Sequence, residues 1–312
     1  MKTASDAAAW LLERNGYLIL THRNPDGDTV GCAAALCLGL RALGKTAWLY
    51  PNPQITDRYL TFCSELIAPE GFAPAYTVAV DVPDVRMFAL GYEGTPDLAI
   101  DHHASNPGYA AQTLLTPEKA ACGETIFAVL KAMGVRIDPE MAGALYAAVS
   151  TDCGCFQYRN TTADTLRAAA ELMDLGADTA FLNKLLFRTS TRAKLALEGM
   201  VYSTMRQYLD GRLNVVSVSL DMLRKAQAKE DDLEDLAALA GKLEGVEASL
   251  TLREMPGGKV KVSMRSNGNP NATEVCRLFG GGGHPMASGC TMDCSLEEAE
   301  RRLVTAVTAA WK

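Results

Sequence analysis

The stretch GYLILTHRNPDGDTVG, residues 16–31, runs from an apolar segment through a polar turn into alanine- and leucine-rich sequence. GYLILTH (16–22) reads as a buried strand and Thr29 to Leu43 as a helix, so the turn sits where a strand ends and a helix begins. Within seven residues it carries His22, Asp26 and Asp28. NPDG is ordinary turn chemistry, and a polar surface loop explains the stretch as well as any special chemistry does. The rest of the chain has to decide.

At 312 residues the length favours two domains. With 48% hydrophobic and 21% charged residues the composition is that of a globular protein, neither disordered nor low-complexity. The N-terminal apolar stretch is short and closed by Glu13 and Arg14, unlike a signal peptide. No apolar run is long enough to span a membrane, so a cytoplasmic protein without membrane association is expected. The nine cysteines are odd in number and include no CxxC pair, which argues against disulfides and structural zinc. They read as small buried thiols. A net charge of −7 and a pI near 5.2 argue against a grip on long duplex nucleic acid. They leave room for a small anionic substrate, because bound metals reverse the local sign.

Strand-like KTAWLY, AYTVAVD (75–81) and PDLAID (96–101) follow the first strand in alternation with helical segments. That is the pattern of an α/β domain with a mostly parallel sheet flanked by helices. TPEKAACGETIFAVLKAMG (116–134) reads as a helix opened by a TPE cap, and a further helix runs from about Pro139 to Val149. Residues 162–208 are helical in pattern, broken at Gly176 and near Arg188. Beyond LDGR (209–212), LNVVSVSL, VEASLTLREM and KVKVSMRS alternate with period 2, and Pro256-Gly-Gly joins the last two as a hairpin. A glycine run and a helix from Ser295 complete a smaller α+β domain. The expected division is 1–187, a helical linker 188–210, and 211–312.

Polar clusters recur, most of them at expected strand ends: Asp81 after TVAV and Asp101-His102-His103 after DLAI, with Asp152 just past a helix. Open α/β sheets bind ligands at that edge. All four histidines, His22, His102, His103 and His284, lie beside acidic or glycine clusters. Imidazoles and carboxylates gathered without cysteine suit Mn²⁺, with Mg²⁺ or Co²⁺ as alternatives. The set exceeds the needs of one ion, which points to two divalent ions sharing a carboxylate, about 3.5–4 Å apart, activating water for attack on phosphorus.

HRNPDGD, VDVPD, DHHASN and STDCGCF, in that order, resemble the four motifs of the DHH phosphoesterase family, and FGGGGHPMASG (279–289) resembles the glycine-rich signature of its DHH-associated C-terminal domain. The resemblance spans nearly the whole chain. It is strongest to the group that degrades very short RNAs to mononucleotides and removes the 3′-phosphate of adenosine 3′,5′-bisphosphate (pAp). It implies that His22, Asp26 and Asp81 hold one metal, and that Asp28, Asp81, His102 and Asp152 hold the other. It further implies that His103 faces the scissile phosphate, and that the active site lies in an interdomain cleft. Asp101 reads as orienting an imidazole, with a plain strand-end acid as the alternative.

In the smaller domain Arg265 can clamp a phosphate with its planar fork. Gly280 to Gly283, with His284 directly after, offer an anion cradle; Gly281, Gly282 and Gly283 are the expected binding positions. Residues 251–290 hold five Lys and Arg against two acids. Short RNA and pAp are thus the expected substrates, and a homodimer is compatible with the sequence. A soluble phosphodiesterase for cyclic or linear dinucleotides is the alternative within the family. A non-catalytic nucleotide sensor is the alternative outside it, and the complete ligand set argues against that. Val82, Cys153 and Cys155 depart from the small residues expected of relatives, which touches metal preference and substrate fit.

Overall fold

In the computed structural model, which describes residues 1–233 and 236–311, helix α1 (Ala4–Leu12) precedes the buried strand β1 (Tyr17–Leu20). The polar turn then leads into α2 (Gly27–Ala42), whose N-cap Asp26 accepts from the amides of Asp28 and Thr29. Next come β2 (Ala47–Leu49), α3 (Asp57–Cys63), β3 (Tyr76–Val80), β4 (Leu98–Asp101) and β5 (Gln112–Leu115). Helices α4 (Cys122–Ala132), α5 (Pro139–Asp152), α6 (Ala163–Asp174) and α7 (Thr179–Asn183) follow. All belong to a first unit, Met1–Thr189.

The five strands form a parallel sheet in the order β2-β1-β3-β4-β5. Its central strands are largely apolar, as strands buried on both faces must be, with Asp101 closing β4. The chain steps outward from β1 to β2 and then crosses back to β3. Between β1 and β3 the connections therefore diverge, and the carboxyl ends of those strands border a crevice. His22 lies just past β1, Asp81 immediately past β3, and residues 101–103 at the end of β4.

On one face Ile19, Val78, Val80 and Ile100 pack against α1, α2, α4 and α5. On the other, Leu18, Leu20, Ala79 and Ala99 pack under Phe88, Tyr109 and Trp48. Helices α2 and α5 approach closely because Gly31 has no side chain: a Cβ there would collide with the Ala144 carbonyl oxygen.

The second unit, Ser190–Lys312, begins with α8 (Arg192–Tyr202), β6 (Arg206–Tyr208) and β7 (Leu213–Val218). After α9 (Leu220–Ala226) and α10 (Leu236–Leu239) come β8 (Ala248–Met255), β9 (Lys259–Ser266) and α11 (Ala272–Arg277). Strands β10 (Gly282–His284) and β11 (Ala287–Asp293) and helix α12 (Leu296–Ala310) complete it. The sheet order is β10-β11-β9-β8-β7-β6, antiparallel except for the β7–β8 pair. Leu250, Val262 and Met264 face α11 and α12, whereas Val216 and Val218 pack with α8 to α10.

Several elements differ from the sequence expectation. The helix read from 116 starts at Cys122, and TPE lies in the loop after β5, a short edge strand that the sequence reading passed over. Helix α5 runs on through Asp152, so this residue closes the helix instead of following it. The pattern read as helical to 208 ends at Tyr202, and β6 takes its last residues. The glycine run contributes an edge strand, β10. Within 188–210, α8 buries Leu197 and Val201 in the core of the second unit.

Gly31 and Gly199 supply a paired test. Ala at 31 meets backbone that cannot yield, so G31A should destabilise by about 1–3 kcal/mol despite better helix propensity. Gly199 in α8 faces open space, so G199A should stabilise by about 0.5–1 kcal/mol. Thermal denaturation should therefore move in opposite directions for the two variants.

Candidate active site

The turn after β1 places two carboxylates with different supports. Asp26 is spent partly on capping α2. Asp28, in the first turn of the helix and 1% exposed, accepts the Cys122 amide at 2.7 Å, the Gly123 amide at 2.9 Å and the Cys32 thiol at 3.2 Å. The first turn of α4 thus presents its unpaired N–H groups to this anion.

His22 and His102 are anchored alike. Nδ1 of His22 meets the Arg23 carbonyl at 2.9 Å, and Nδ1 of His102 meets the Lys119 carbonyl at 3.2 Å. A ring with Nδ1–H tied to a carbonyl turns Nε2 outward as a lone-pair donor, the arrangement typical of metal-ligating imidazoles. Nε2 of His22 lies 3.6 Å from Asp26 and 3.8 Å from Asp81. Nε2 of His102 lies 3.4 Å from Asp81, 3.5 Å from Asp152 and 3.9 Å from Asp28.

Among the described residues, three sets have donor atoms mutually within 4.8 Å: His22, Asp26 and Asp81; Asp28, His102 and Asp152; and Asp81, His102 and His103. Asp81 joins them. Its Oδ1 is buried and has no hydrogen-bond partner. An orphaned carboxylate oxygen among outward-facing imidazole nitrogens fits a divalent cation, as does the O,N donor set without thiolate.

Electrostatics point the same way. Burial, then the neighbouring Asp152 charge, pushes Asp28 up to about 8, and burial with Asp28 beside it holds Asp81 well above the usual carboxylate range. Burial alone would depress His102, yet Asp81, Asp28 and Asp152 raise it to about 10. Without a cation, the cluster therefore retains protons that a divalent ion would displace.

Asp101 is fully buried and does not line the donor cluster. It accepts the amides of His102 (2.8 Å) and His103 (3.2 Å), His103 Nδ1 (2.8 Å) and the Asn106 amide group (2.6 Å). Burial opposes its charge, but His103 and Asn106 hold it below the usual carboxylate range. It fixes the His103 ring, which keeps 35% of its side chain exposed with Nε2 uncommitted to this pair.

In the second unit, Arg265 pairs with Ala287 and Ala287 with His284, so Arg265 and His284 share a row on one sheet face. Gly282 and Gly289 form the next row on that face, without side chains. The amides of Gly280 and Gly281 close the turn after α11 on Arg277 and Cys276. A Cβ at Gly281 would strike Gly289 and Cys290, so close packing as well as openness accounts for glycine there.

The sequence reading missed the supports of this site: the α4 amides, the Lys119 carbonyl, Cys32 and Asn106. Backbone groups carry no residue signature, and only the nearness of Asn106 to DHH hinted at its part. All nine cysteines are free and seven are buried. No helix among the described residues is long and apolar enough to cross a membrane.

The sequence pattern of the DHH family N-terminal domain matches residues 17–149, and that of the DHHA1 domain matches 212–312. The chain is 35% identical over 294 residues to the bifunctional oligoribonuclease and PAP phosphatase NrnA of Thermus thermophilus, covering 93% of this chain and 88% of that protein. Identity to the Bacillus subtilis protein of the same name is 26%, covering 91% and 92%. The fold matches an exopolyphosphatase-related protein from Bacteroides fragilis with a TM-score of 0.87 at 24% identity, covering 98% and 96%.

The protein in EDTA supplies a test of the electrostatics. Asp28 and His102 both have raised folded pKa values, so the stability each contributes is present at low pH and declines as pH rises. For Asp28 the loss runs from about 4 to about 8, and for His102 from about 6.5 to about 10. The melting temperature without metal should fall from pH 5 to 9, D28N should flatten the profile, and Mn²⁺ should restore most stability at the alkaline end. From the ordered motifs, the two matched domains and the relative aligned along nearly its full length, the chain belongs to the DHH family of phosphoesterases.

Proposed function

We propose that the protein is a two-metal phosphoesterase that trims short oligoribonucleotides to mononucleotides and removes the 3′-phosphate of pAp. The carrying observation is Asp81: its buried, unpartnered Oδ1 lies 3.4 Å from His102 Nε2 while its Oδ2 lies 3.8 Å from His22 Nε2, so one carboxylate faces both histidines. In this reading His22, Asp26 and Asp81 hold one ion, and Asp28, Asp81, His102 and Asp152 hold the other, with Mn²⁺ the preferred metal. The relatives named oligoribonuclease and PAP phosphatase support the choice of substrates.

When bound, the two ions supply Lewis acidity toward the phosphoryl oxygens and the attacking water. The chain's own groups do the rest. Asp101 holds Nδ1 of the His103 ring, which leaves Nε2 to face a phosphoryl oxygen. Asp28 is kept from turning away by the two α4 amides. Arg265 and His284 grip the remainder of the nucleotide, with Gly282 and Gly283 leaving its backbone room to approach. Nine free thiols suit a reducing cytoplasm.

The test is release of phosphate and mononucleotide, with Mn²⁺, from pAp, pApA and a five-residue RNA beside cyclic di-AMP. Turnover of the first three is expected. Turnover of cyclic di-AMP alone would move the protein to cyclic-dinucleotide hydrolysis, and silence on all four would sink the enzymatic reading. H103N should lower kcat by about 10²–10³-fold while the protein stays folded. D81N, which tolerates the same backbone conformation, should abolish both turnover and the stabilisation by Mn²⁺.

A further inference from the structure

Asp81 has an unusual backbone. Its φ is +56°, in the left-handed region that side-chain-bearing residues disfavour. Such a conformation persists only where its surroundings impose it. On the N-terminal side the constraint is the sheet: the Asp81 amide donates to the Ile100 carbonyl at 2.9 Å. On the C-terminal side the next carbonyl, that of Val82, accepts two donors. The Tyr109 hydroxyl reaches it at 2.7 Å and the Asn106 side-chain amide at 3.3 Å.

Tyr109 is also placed to connect separate segments. Its ring packs edge-on against Phe88, with centroids 5.4 Å apart, and Phe88 forms a β-bridge with His22. Asn106, the other donor on Val82, holds Asp101 as well. One hydroxyl therefore stands where the His22 segment, the Asp81 turn and the segment after His103 meet. It belongs to none of the donor sets.

We propose that Tyr109 is a positioning residue: its hydroxyl, fixed on the Val82 carbonyl, maintains the left-handed backbone at Asp81 and so aims the shared carboxylate at the metal site. The inference rests on Asp81 being a metal ligand. Y109F removes the hydroxyl and leaves the ring in its apolar cluster. Y92F is the control, since Tyr92 packs on the same Phe88 at 5.1 Å.

The experiment titrates Mn²⁺ into the EDTA-stripped, full-length protein by calorimetry, with melting temperatures and pApA kinetics beside it. For Y109F, Mn²⁺ affinity should weaken about tenfold, in the range usual for lost outer-sphere supports. The metal-free melting temperature should stay within a few degrees of wild type. At limiting Mn²⁺, kcat should fall with KM for pApA within twofold. Y92F should match wild type, and N106A should also weaken Mn²⁺ binding. Wild-type affinity in Y109F would overturn the proposal, as would an equal loss in Y92F, which would assign the effect to the aromatic cluster as a whole. A wild-type protein that binds no Mn²⁺ would overturn it together with the metal reading, so the two failures are told apart.

Discussion

A buried carboxylate with one oxygen lacking a hydrogen-bond partner, held in a left-handed turn at the end of a central strand, is what the first unit is arranged around. An isolated anion in such a place is strongly disfavoured. Asp81 is not isolated in space, since imidazole nitrogens of His22 and His102 approach it from two directions. Those nitrogens face inward because the opposite side of each ring is tied to a backbone carbonyl. The cluster is therefore preorganised for a cation, and the repulsion among Asp28, Asp81 and Asp152 is the free-energy source that binding a cation relieves.

The parallel sheet makes this arrangement possible. Its strand order brings the ends of β1 and β3 side by side where the connections diverge. Helix α4 adds the electrostatic counterpart, since its first amides hold Asp28 without neutralising it. Asp101 works in the same spirit, taking four donors so that His103 keeps one orientation. Asp101, saturated by hydrogen bonds, positions its neighbours, whereas Asp81 keeps an oxygen without a partner, which suits metal binding.

The second unit has no comparable cluster among its described residues. Its sheet sets Arg265 and His284 in one row, beside a row floored by Gly282 and Gly289. Only Ala287 separates the guanidinium from the imidazole along that row.

The alternation of apolar runs and helical segments determined the α/β class of the first unit, because burial on both faces demands continuous apolar strands. The period-2 segments likewise marked the second sheet. The metal-ligand candidates His22, Asp26, Asp28, Asp81, His102 and Asp152 were legible as residue types, most of them close to expected strand ends, since side-chain chemistry is written directly in the sequence. Short edges were not legible: β5, β6 and β10 are three or four residues long and owe their form to the neighbour they pair with. Nor was the left-handed turn at Asp81, or the grip of Cys122, Gly123, Lys119 and Tyr109 on the site. Those contacts join residues far apart in the chain, largely through backbone groups that every residue possesses, so only the tertiary structure could decide which of them meet.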